Sequence, residues 1–324
     1  MASVTSSRRI LFVAANASID RLHEVDRLVA GAIHRPDRVL ALPGGKGLNA
    51  ARAAVSLGAD VVVVAIVGGR AGEWIADRLT ALGIPASLVR TAAETRTCLS
   101  VLDRSVGTLT EFYEPGEAIA SGAWPALEAA IGTEIATGDL GALTLSGSLP
   151  PAAPVDGYAR IVRMAAERGI SVLVDAHGPA LDLAITAAPS VVKVNAAEAG
   201  AAAGIVAASD EDVLRAARWI VERGVGAAVV TLGGAGAGGA GAIVVDGAGA
   251  WRLTGPTTRG AYPVGSGDAF LAGLAAGIVR GMDLVEAARN GLAAGFANAQ
   301  RPGAGELDPN VARDVLEQVV AQPI

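Results

Sequence analysis

Short runs rich in Val, Ile and Leu alternate along this chain with segments whose apolar residues recur at helical spacing. Four of the helical segments end in glycine, the residue expected just past the end of a helix. Continuous β-rich runs that alternate with helices indicate a mainly parallel sheet covered on both faces, so we predict an α/β fold that binds ligands at the carboxyl ends of its strands. The strand candidates are residues 10–15, 61–67, 142–146, 171–175, 190–194, 227–232, 242–246 and 250–253, and the helical segments include 46–58, 71–83, 155–169 and 209–224.

Two stretches carry strand-like alternation without any helical pattern, residues 16–43 and residues 95–115. They predict a small second sheet that projects from the main sheet and can serve as a lid. After residue 266 the pattern predicts helices only. Because no repeat and no long linker divides the chain, we expect a single domain over 1–324 with the two lid segments inserted in it.

The composition excludes several classes of function. The formal net charge of −6 provides no basic field for nucleic acid or anionic lipid, so neither is predicted as a partner. The single cysteine, Cys98, excludes an internal disulfide and favours a reducing, cytoplasmic location, and its strand-like surroundings favour a small buried hydrophobe. The uncharged run 224–245 is rich in glycine, which suits a strand, a turn and a second strand better than a membrane helix.

The segment VGSGD at 264–268 places two glycines and a carboxylate at the start of a predicted helix. Gly265 and Gly267 can adopt backbone angles that other residues avoid, so we expect the amides of residues 265–268 to converge on an anion. A carboxylate beside such a site opposes anion binding unless it accepts a proton from the group that attacks the anion, as in phosphoryl transfer. Alternatively, Asp268 only stabilises the helix N-terminus, which the helix dipole favours by itself.

Two other glycine-rich segments match nucleotide-binding motifs only in part. GGKG at 44–47 lacks the Ser or Thr after lysine that a P-loop requires. GAGGAG at 236–241 fits the dinucleotide-binding pattern by its letters, but a strand is predicted after it instead of a helix. Lys46 nevertheless opens a predicted helix, where the dipole disfavours a cation, which indicates either an anionic ligand or a solvated side chain.

Five segments, taken together, resemble the PfkB (ribokinase-like) family of carbohydrate kinases. PVGSGDAFLAG resembles the C-terminal signature of the family, GGKGLNAARAAVSLGAD resembles its N-terminal signature, and LTLSGSLPP, KVNAAEA and VVTLGGAGA match further landmarks in the family's order. NASID, ETRT, TEFYEPG and SGSLPP resemble the phosphohexose kinase subgroup, which includes 1-phosphofructokinase and tagatose-6-phosphate kinase. The resemblance implies a ribokinase-like three-layer fold, in which helices flank a mainly parallel central sheet and a small β-sheet lid often builds a homodimer.

The resemblance also implies functional roles for residues at matching positions. Asp268 would be the catalytic base, beside an anion hole formed by Gly265, Ser266 and Gly267. The sugar or its phosphate would be held by Asp20, Gly45, Lys46, Asn49 and Arg96. The nucleotide would contact Lys193, Asn195, Glu198, Thr231, Gly233 and Gly236, with Glu198 acting indirectly on Mg²⁺. Arg35 and Arg104 are further candidates for phosphate contact.

These matches predict an enzyme that uses ATP and Mg²⁺ to phosphorylate a hydroxyl of a ketohexose phosphate. Glu111 follows a threonine, as in the kinases of fructose 1-phosphate and tagatose 6-phosphate that this segment resembles. This similarity disfavours fructose 6-phosphate as the substrate. Tyr262 replaces the small polar residue usual at its position, and it either fills space on the nucleotide side or only packs. The alternatives are a kinase of an unphosphorylated sugar or nucleoside, and a sensor of nucleotide or sugar phosphate that kept the pocket but lost the chemistry.

Overall fold

The computed structural model describes residues 8–233 and 240–324, which form two sheets and the helices around them. The strands are β1 (Arg9–Ala14), β2 (Ser18–Val25), β3 (Arg38–Gly44), β4 (Val61–Gly68), β5 (Ala86–Thr91), β6 (Arg96–Asp103), β7 (Thr108–Tyr113), β8 (Leu140–Ser146), β9 (Ser171–Asp175), β10 (Val191–Asn195), β11 (Ala227–Thr231), β12 (Gly241–Asp246), β13 (Ala250–Thr254) and β14 (Val320–Pro323). The helices are α1 (Lys46–Ser56), α2 (Gly69–Ala81), α3 (Ala123–Ala136), α4 (Gly157–Ala166), α5 (Gly178–Thr186), α6 (Ala196–Ala203), α7 (Asp210–Val221), α8 (Ser266–Val279), α9 (Leu284–Ala299) and α10 (Pro309–Leu316).

The larger sheet has the strand order β14-β13-β12-β11-β10-β9-β8-β1-β4-β5. The strands from β11 to β5 in this order all pair in parallel, and β12, β13 and β14 add antiparallel pairs at one edge. Every predicted strand of the main sheet occurs there, and the predicted α/β fold is confirmed.

Helices cover both faces of this sheet, as the unbroken apolar strands require. All eight residues of β4 are buried, for example, so neither of its faces meets water. On one face the core includes Leu48 of α1, Ile75 of α2 and Leu274 of α8, and on the other it includes Ile161 of α4 and Ile220 of α7. The result is the three-layer arrangement that the sequence predicted.

The two helix-free stretches form the second sheet, with the strand order β3-β2-β6-β7. Strands β2 and β6 pair in parallel and join the two stretches, and each of these two strands also carries an antiparallel neighbour. The register places Asp20 beside Cys98 and Ser100 beside Glu111, so these four residues share one face of the sheet. We call this small sheet the lid sheet and this face its inner face.

The prediction that only helices follow residue 266 is wrong at the C-terminus. Helix α10 ends at Leu316, and Val320–Pro323 forms β14, which pairs with β13. Strand β14 covers the backbone edge of β13, which would otherwise be open. Pro323 is tolerated in β14 because an edge strand pairs on one side only, so its missing N–H can face away from β13. Within the described parts of the chain, no helix has the length and apolar character of a membrane span.

Candidate active site

The carboxyl ends of the central strands open into a cleft of about 900 Å³ that is closed on its other side by the inner face of the lid sheet. Ser146, Asp175, Asn195 and Thr231, the last residues of β8, β9, β10 and β11, line it. The predicted site residues that line the same cleft are Asp20, Gly45, Lys46, Asn49, Arg96, Lys193, Asn195, Glu198, Thr231, Gly233, Gly265, Ser266, Gly267 and Asp268. The remaining one, Gly236, lies outside the described residues.

Helix α8 begins directly after Gly265, which adopts a left-handed conformation with φ of 85° and ψ of −6°. A Cβ atom at this position would lie 2.6 Å from Cα of Ala304, which belongs to the segment after α9. The backbone conformation and the close approach both require glycine, so the loop can turn sharply into the helix.

The first turn of α8 presents fewer free amides than the sequence predicted. Ser266 donates its amide to the carbonyl of Pro263 at 3.1 Å, so this amide is already used within the loop. The amides of Gly267 and Asp268 lie in the first helical turn, where a helix offers them no acceptor. These two amides are therefore the best placed to receive an anion.

The Asp268 carboxylate is buried at the same helix end, with 7% of the residue exposed. Burial raises the pKa of Asp268 to about 7, because a charged carboxylate loses its hydration there, and Asp175 adds to the rise. Lys46, the side-chain amide of Asn49 and Lys193 oppose this rise. With this pKa, the protonated and the ionised forms of the carboxyl group are about equally populated near neutral pH. This balance suits a group that accepts and releases a proton.

One side-chain amide joins Asp268 to a second carboxylate in the cleft. Nδ2 of Asn49 donates to Oδ2 of Asp268 at 3.1 Å and to Oδ2 of Asp20 at 3.0 Å. Asp20 also accepts hydrogen bonds from the hydroxyl of Ser18 at 2.6 Å and from the amide of Gly45 at 3.3 Å. Residues from β2, α1 and α8 thus converge, although they are far apart in the sequence.

Asp175 is the main functional candidate that the sequence analysis missed. It is fully buried, and its two oxygens accept hydrogen bonds from Nζ of Lys46 at 2.8 Å and Nζ of Lys193 at 2.6 Å. Burial alone would raise the pKa of Asp175, but the two ammonium groups outweigh it and lower the pKa to about 2. Its position at the end of the predicted strand 171–175 was the available signal, since ligands of parallel sheets bind at strand ends.

The ammonium of Lys46 is surrounded by carboxylates. Besides Asp175, Oε1 of Glu198 lies 3.7 Å from its Nζ. Burial alone would lower the pKa of Lys46, but Asp175, Asp268 and Glu198 outweigh it and raise the pKa above its usual value. Lys46 therefore carries a permanent positive charge at the centre of the cleft.

Asn195 and Glu198 form a capping box at the start of α6. Oδ1 of Asn195 accepts the amide of Glu198 at 2.8 Å, and Oε2 of Glu198 accepts the amide of Asn195 at 2.9 Å. This arrangement starts the helix, and it also fixes the Glu198 carboxylate at the edge of the cleft.

Arg96 lies at the start of β6, on the lid side of the cleft. Its guanidinium donates to the carbonyls of Glu114 at 3.0 Å and Asn16 at 3.3 Å. Its Nε atom is buried and has no hydrogen-bond partner among the described residues. A buried donor of this kind is costly unless a ligand satisfies it.

The two other arginine candidates lie away from this cleft. Arg104 forms ion pairs with Asp26 and Asp37 at the far end of the lid sheet, and neither Arg104 nor Arg35 lines the cleft. Tyr262 lines the cleft, and its hydroxyl donates to Oε1 of Glu24 on β2 at 3.1 Å, so it does more than pack.

Residues 10–310 match the model of the pfkB family of carbohydrate kinases, and the chain belongs to this family. The fold that the structure shows is the ribokinase-like α/β fold with a lid, and the chain is a carbohydrate kinase. Both predictions are confirmed.

Among its relatives, the chain is 34% identical over 304 residues to 1-phosphofructokinase of Rhodobacter capsulatus, with 94% of this chain and 92% of the relative covered. It is 27% identical over 327 residues to tagatose-6-phosphate kinase of Staphylococcus epidermidis, with 96% and 98% covered. The solved structure of phosphofructokinase-2 from Escherichia coli in complex with potassium matches with a TM-score of 0.86 at 27% identity, covering 96% of this chain and 98% of that one.

Proposed function

We propose that this kinase transfers the γ-phosphoryl group of ATP to a hydroxyl of a ketohexose phosphate. Fructose 1-phosphate is the favoured substrate, followed by tagatose 6-phosphate or fructose 6-phosphate. The observation that carries the proposal is the buried Asp268 carboxylate at the N-terminus of α8, with its pKa raised to about 7. The named relatives, a 1-phosphofructokinase and a tagatose-6-phosphate kinase, support the substrate class.

In the proposed reaction the substrate hydroxyl oxygen attacks the γ-phosphorus, and Asp268 accepts the hydroxyl proton. The bond between the γ-phosphorus and the β–γ bridging oxygen breaks, and ADP leaves with its electron pair. The amides of Gly267 and Asp268 stabilise the negative charge on the transferred group. Lys46 and Lys193, both held by Asp175, supply positive charge beside it.

The side chains of the cleft fit a magnesium ion that is held mainly by phosphates and water. Nucleotide sites typically give Mg²⁺ only one or two carboxylates and leave it several waters. Among residues 8–233 and 240–324, no group of three or more His, Cys, Asp or Glu side chains could hold a metal by itself. Glu198 would contact the ion through water, and the bound ion would neutralise charge on the phosphates.

The test of the substrate class is a coupled ADP-release assay over five acceptors: fructose 1-phosphate, tagatose 6-phosphate, fructose 6-phosphate, fructose and ribose. We expect the highest kcat/KM with fructose 1-phosphate, because the chain is 34% identical to a 1-phosphofructokinase and 27% identical to a tagatose-6-phosphate kinase. A higher kcat/KM with fructose or ribose would contradict the phosphosugar assignment. If ADP is released with none of the five acceptors, the ketohexose phosphate assignment is contradicted.

Arg96→Ala should raise KM for the sugar phosphate roughly ten- to hundredfold, because hydrogen bonds to a charged group contribute about 1.5–3 kcal/mol. KM for ATP and kcat should change little, since Arg96 lies on the lid side of the cleft. Steady-state kinetics with fructose 1-phosphate measures the change, with the exposed Arg70→Ala as the control. An unchanged KM would favour an unphosphorylated acceptor.

The pH profile should show that Asp268 acts as a base. The carboxyl group must be ionised to accept a proton, so kcat/KM should rise with pH through about 7 and level off above it. Lys46, Asn49, Lys193 and Asp175 all face the carboxyl group and set this value together. A profile that is flat between about pH 5 and pH 8 would contradict the assignment.

We also propose that the protein forms a homodimer through the outer face of the lid sheet, the face opposite Asp20. Val39 and Phe112 lie on this face with 55% and 58% of each residue exposed. Exposed apolar side chains on both outermost strands of one sheet face favour burial of that face against a second copy.

A further inference from the structure

A second buried charge lies directly behind the candidate base. Arg52 of α1 is 4% exposed, and burial lowers the pKa of its guanidinium. A buried cation is unfavourable unless its donors are satisfied. Arg52 does not line the cleft, so it does not contact a ligand that binds in the cleft.

The donors of Arg52 tie together three parts of the chain. Nε donates to the carbonyl of Pro43 in β3 at 3.0 Å, and Nη2 donates to the carbonyl of Ala304 at 2.6 Å. Nη1 pairs with Oε1 of Glu306 at 2.5 Å. Ala304 is also the residue against which Gly265 packs, so Arg52 fixes the segment behind the turn into α8.

The remaining hydrogen bond of Arg52 reaches the amide that contacts the base. Nη2 of Arg52 donates to Oδ1 of Asn49 at 2.8 Å, as expected for residues three positions apart on one helix. Nδ2 of Asn49 donates to both Asp268 and Asp20. A side-chain amide has a distinct donor end and acceptor end, so only one orientation satisfies a guanidinium on one side and two carboxylates on the other.

We propose that Arg52 is a positioning residue of the phosphoryl transfer: its guanidinium holds Asn49 in the one orientation that donates to Asp268 and Asp20, and so places the carboxylate of the base. The inference rests on the proposed function, in which Asp268 accepts the substrate proton. Without Arg52, the oxygen of the Asn49 amide loses its fixed donor, so the side chain can leave the position from which it donates to both carboxylates.

The test is a double-mutant cycle between Arg52 and Asn49, measured at saturating concentrations of ATP and fructose 1-phosphate. Arg52→Lys keeps the positive charge but loses the planar fork that reaches Asn49 and the carbonyls together. We expect kcat to fall roughly ten- to hundredfold in Arg52→Lys, the range for a lost hydrogen bond to a charged group, with KM for ATP nearly unchanged. In an Asn49→Ala background the same substitution should produce a clearly smaller loss of kcat, because the part of its effect that acts through the amide is already missing.

Equal losses of kcat in both backgrounds would overturn the inference, as would a kcat of Arg52→Lys close to that of the parent protein. Leu79→Ala in α2 controls for lost stability, since it removes a buried side chain that is not in the cleft and should leave kcat unchanged below the unfolding temperature. If Arg52→Lys does not fold, Glu306→Ala replaces it in the cycle, because it removes the acceptor of Nη1 of Arg52 and the Glu306 side chain is 38% exposed.

The outcome separates this inference from the proposed function. Normal turnover in Asp268→Asn would refute the base itself. An inactive Asp268→Asn together with a fully active Arg52→Lys would refute only the role of Arg52.

Discussion

Asp268→Asn should lower kcat by roughly 10²–10⁴-fold, the contribution typical of a positioned general base. The substitution keeps the shape of the side chain but removes the oxygen that accepts the substrate proton. KM for ATP should change little, because the nucleotide candidates Lys193, Glu198 and Thr231 lie on other strands and helices. Coupled ADP release at saturating fructose 1-phosphate measures the loss.

A matched control is available on the surface of the protein. Asp182→Asn removes an exposed carboxylate on α5 that does not line the cleft, so it should keep the parent's kcat. If Asp268→Asn keeps a kcat within a few-fold of this control, Asp268 only stabilises the N-terminus of α8.

Asp175→Asn should lower the free energy of unfolding by about 3–5 kcal/mol, the cost of breaking a buried ion pair by removing one partner. The buried ammonium of Lys193 would then lose its only ion pair within the described residues, and Lys46 would keep Glu198 at 3.7 Å. Turnover should also fall, because the two lysines would no longer be held at the carboxyl ends of the strands. Urea unfolding followed by circular dichroism measures the change in stability.

The control for this prediction is Asp26→Asn, which removes one carboxylate from the exposed pair with Arg104 and should change the free energy of unfolding far less, because water screens exposed charges. The pH dependence gives a second check. The pKa of Asp175 is about 2 in the folded protein, below its unfolded value, so its stabilisation is complete above pH ~4 and is lost as the pH falls through about 2. Equal stability of the two variants at neutral pH would show that the buried cluster contributes nothing to folding.

The sequence predicted the main-sheet strands well because their apolar runs are continuous. β5 was missed because Ala86–Thr91 is only partly buried and mixes Ser and Arg with apolar residues. The strand order was not predictable either, since pairs such as β1 with β8 join residues 130 or more positions apart. β14 was missed for the same reason, because it forms only by pairing with the edge of β13, which lies far away in the sequence.

The residues of the candidate site were likewise predicted only in part. Asp268, Lys46 and Asn49 were found because each lies in a short recognisable segment. Asp175 has no motif, and its role depends on the pairing of β9 with β10, which places it beside Lys193. Arg52 was missed because its partner Glu306 lies 254 positions away in the chain.

The hydrogen bond between Tyr262 and Glu24 has a mechanical consequence. It joins the loop that leads into α8, where Tyr262 lines the cleft, to the β2 strand of the lid sheet. A hinge motion of β2 away from the main sheet must either break a bond to a nearly buried carboxylate, at about 1.5–3 kcal/mol, or drag residues 256–263 along with it. At this corner, therefore, the lid sheet and the loop before α8 move together unless this hydrogen bond breaks.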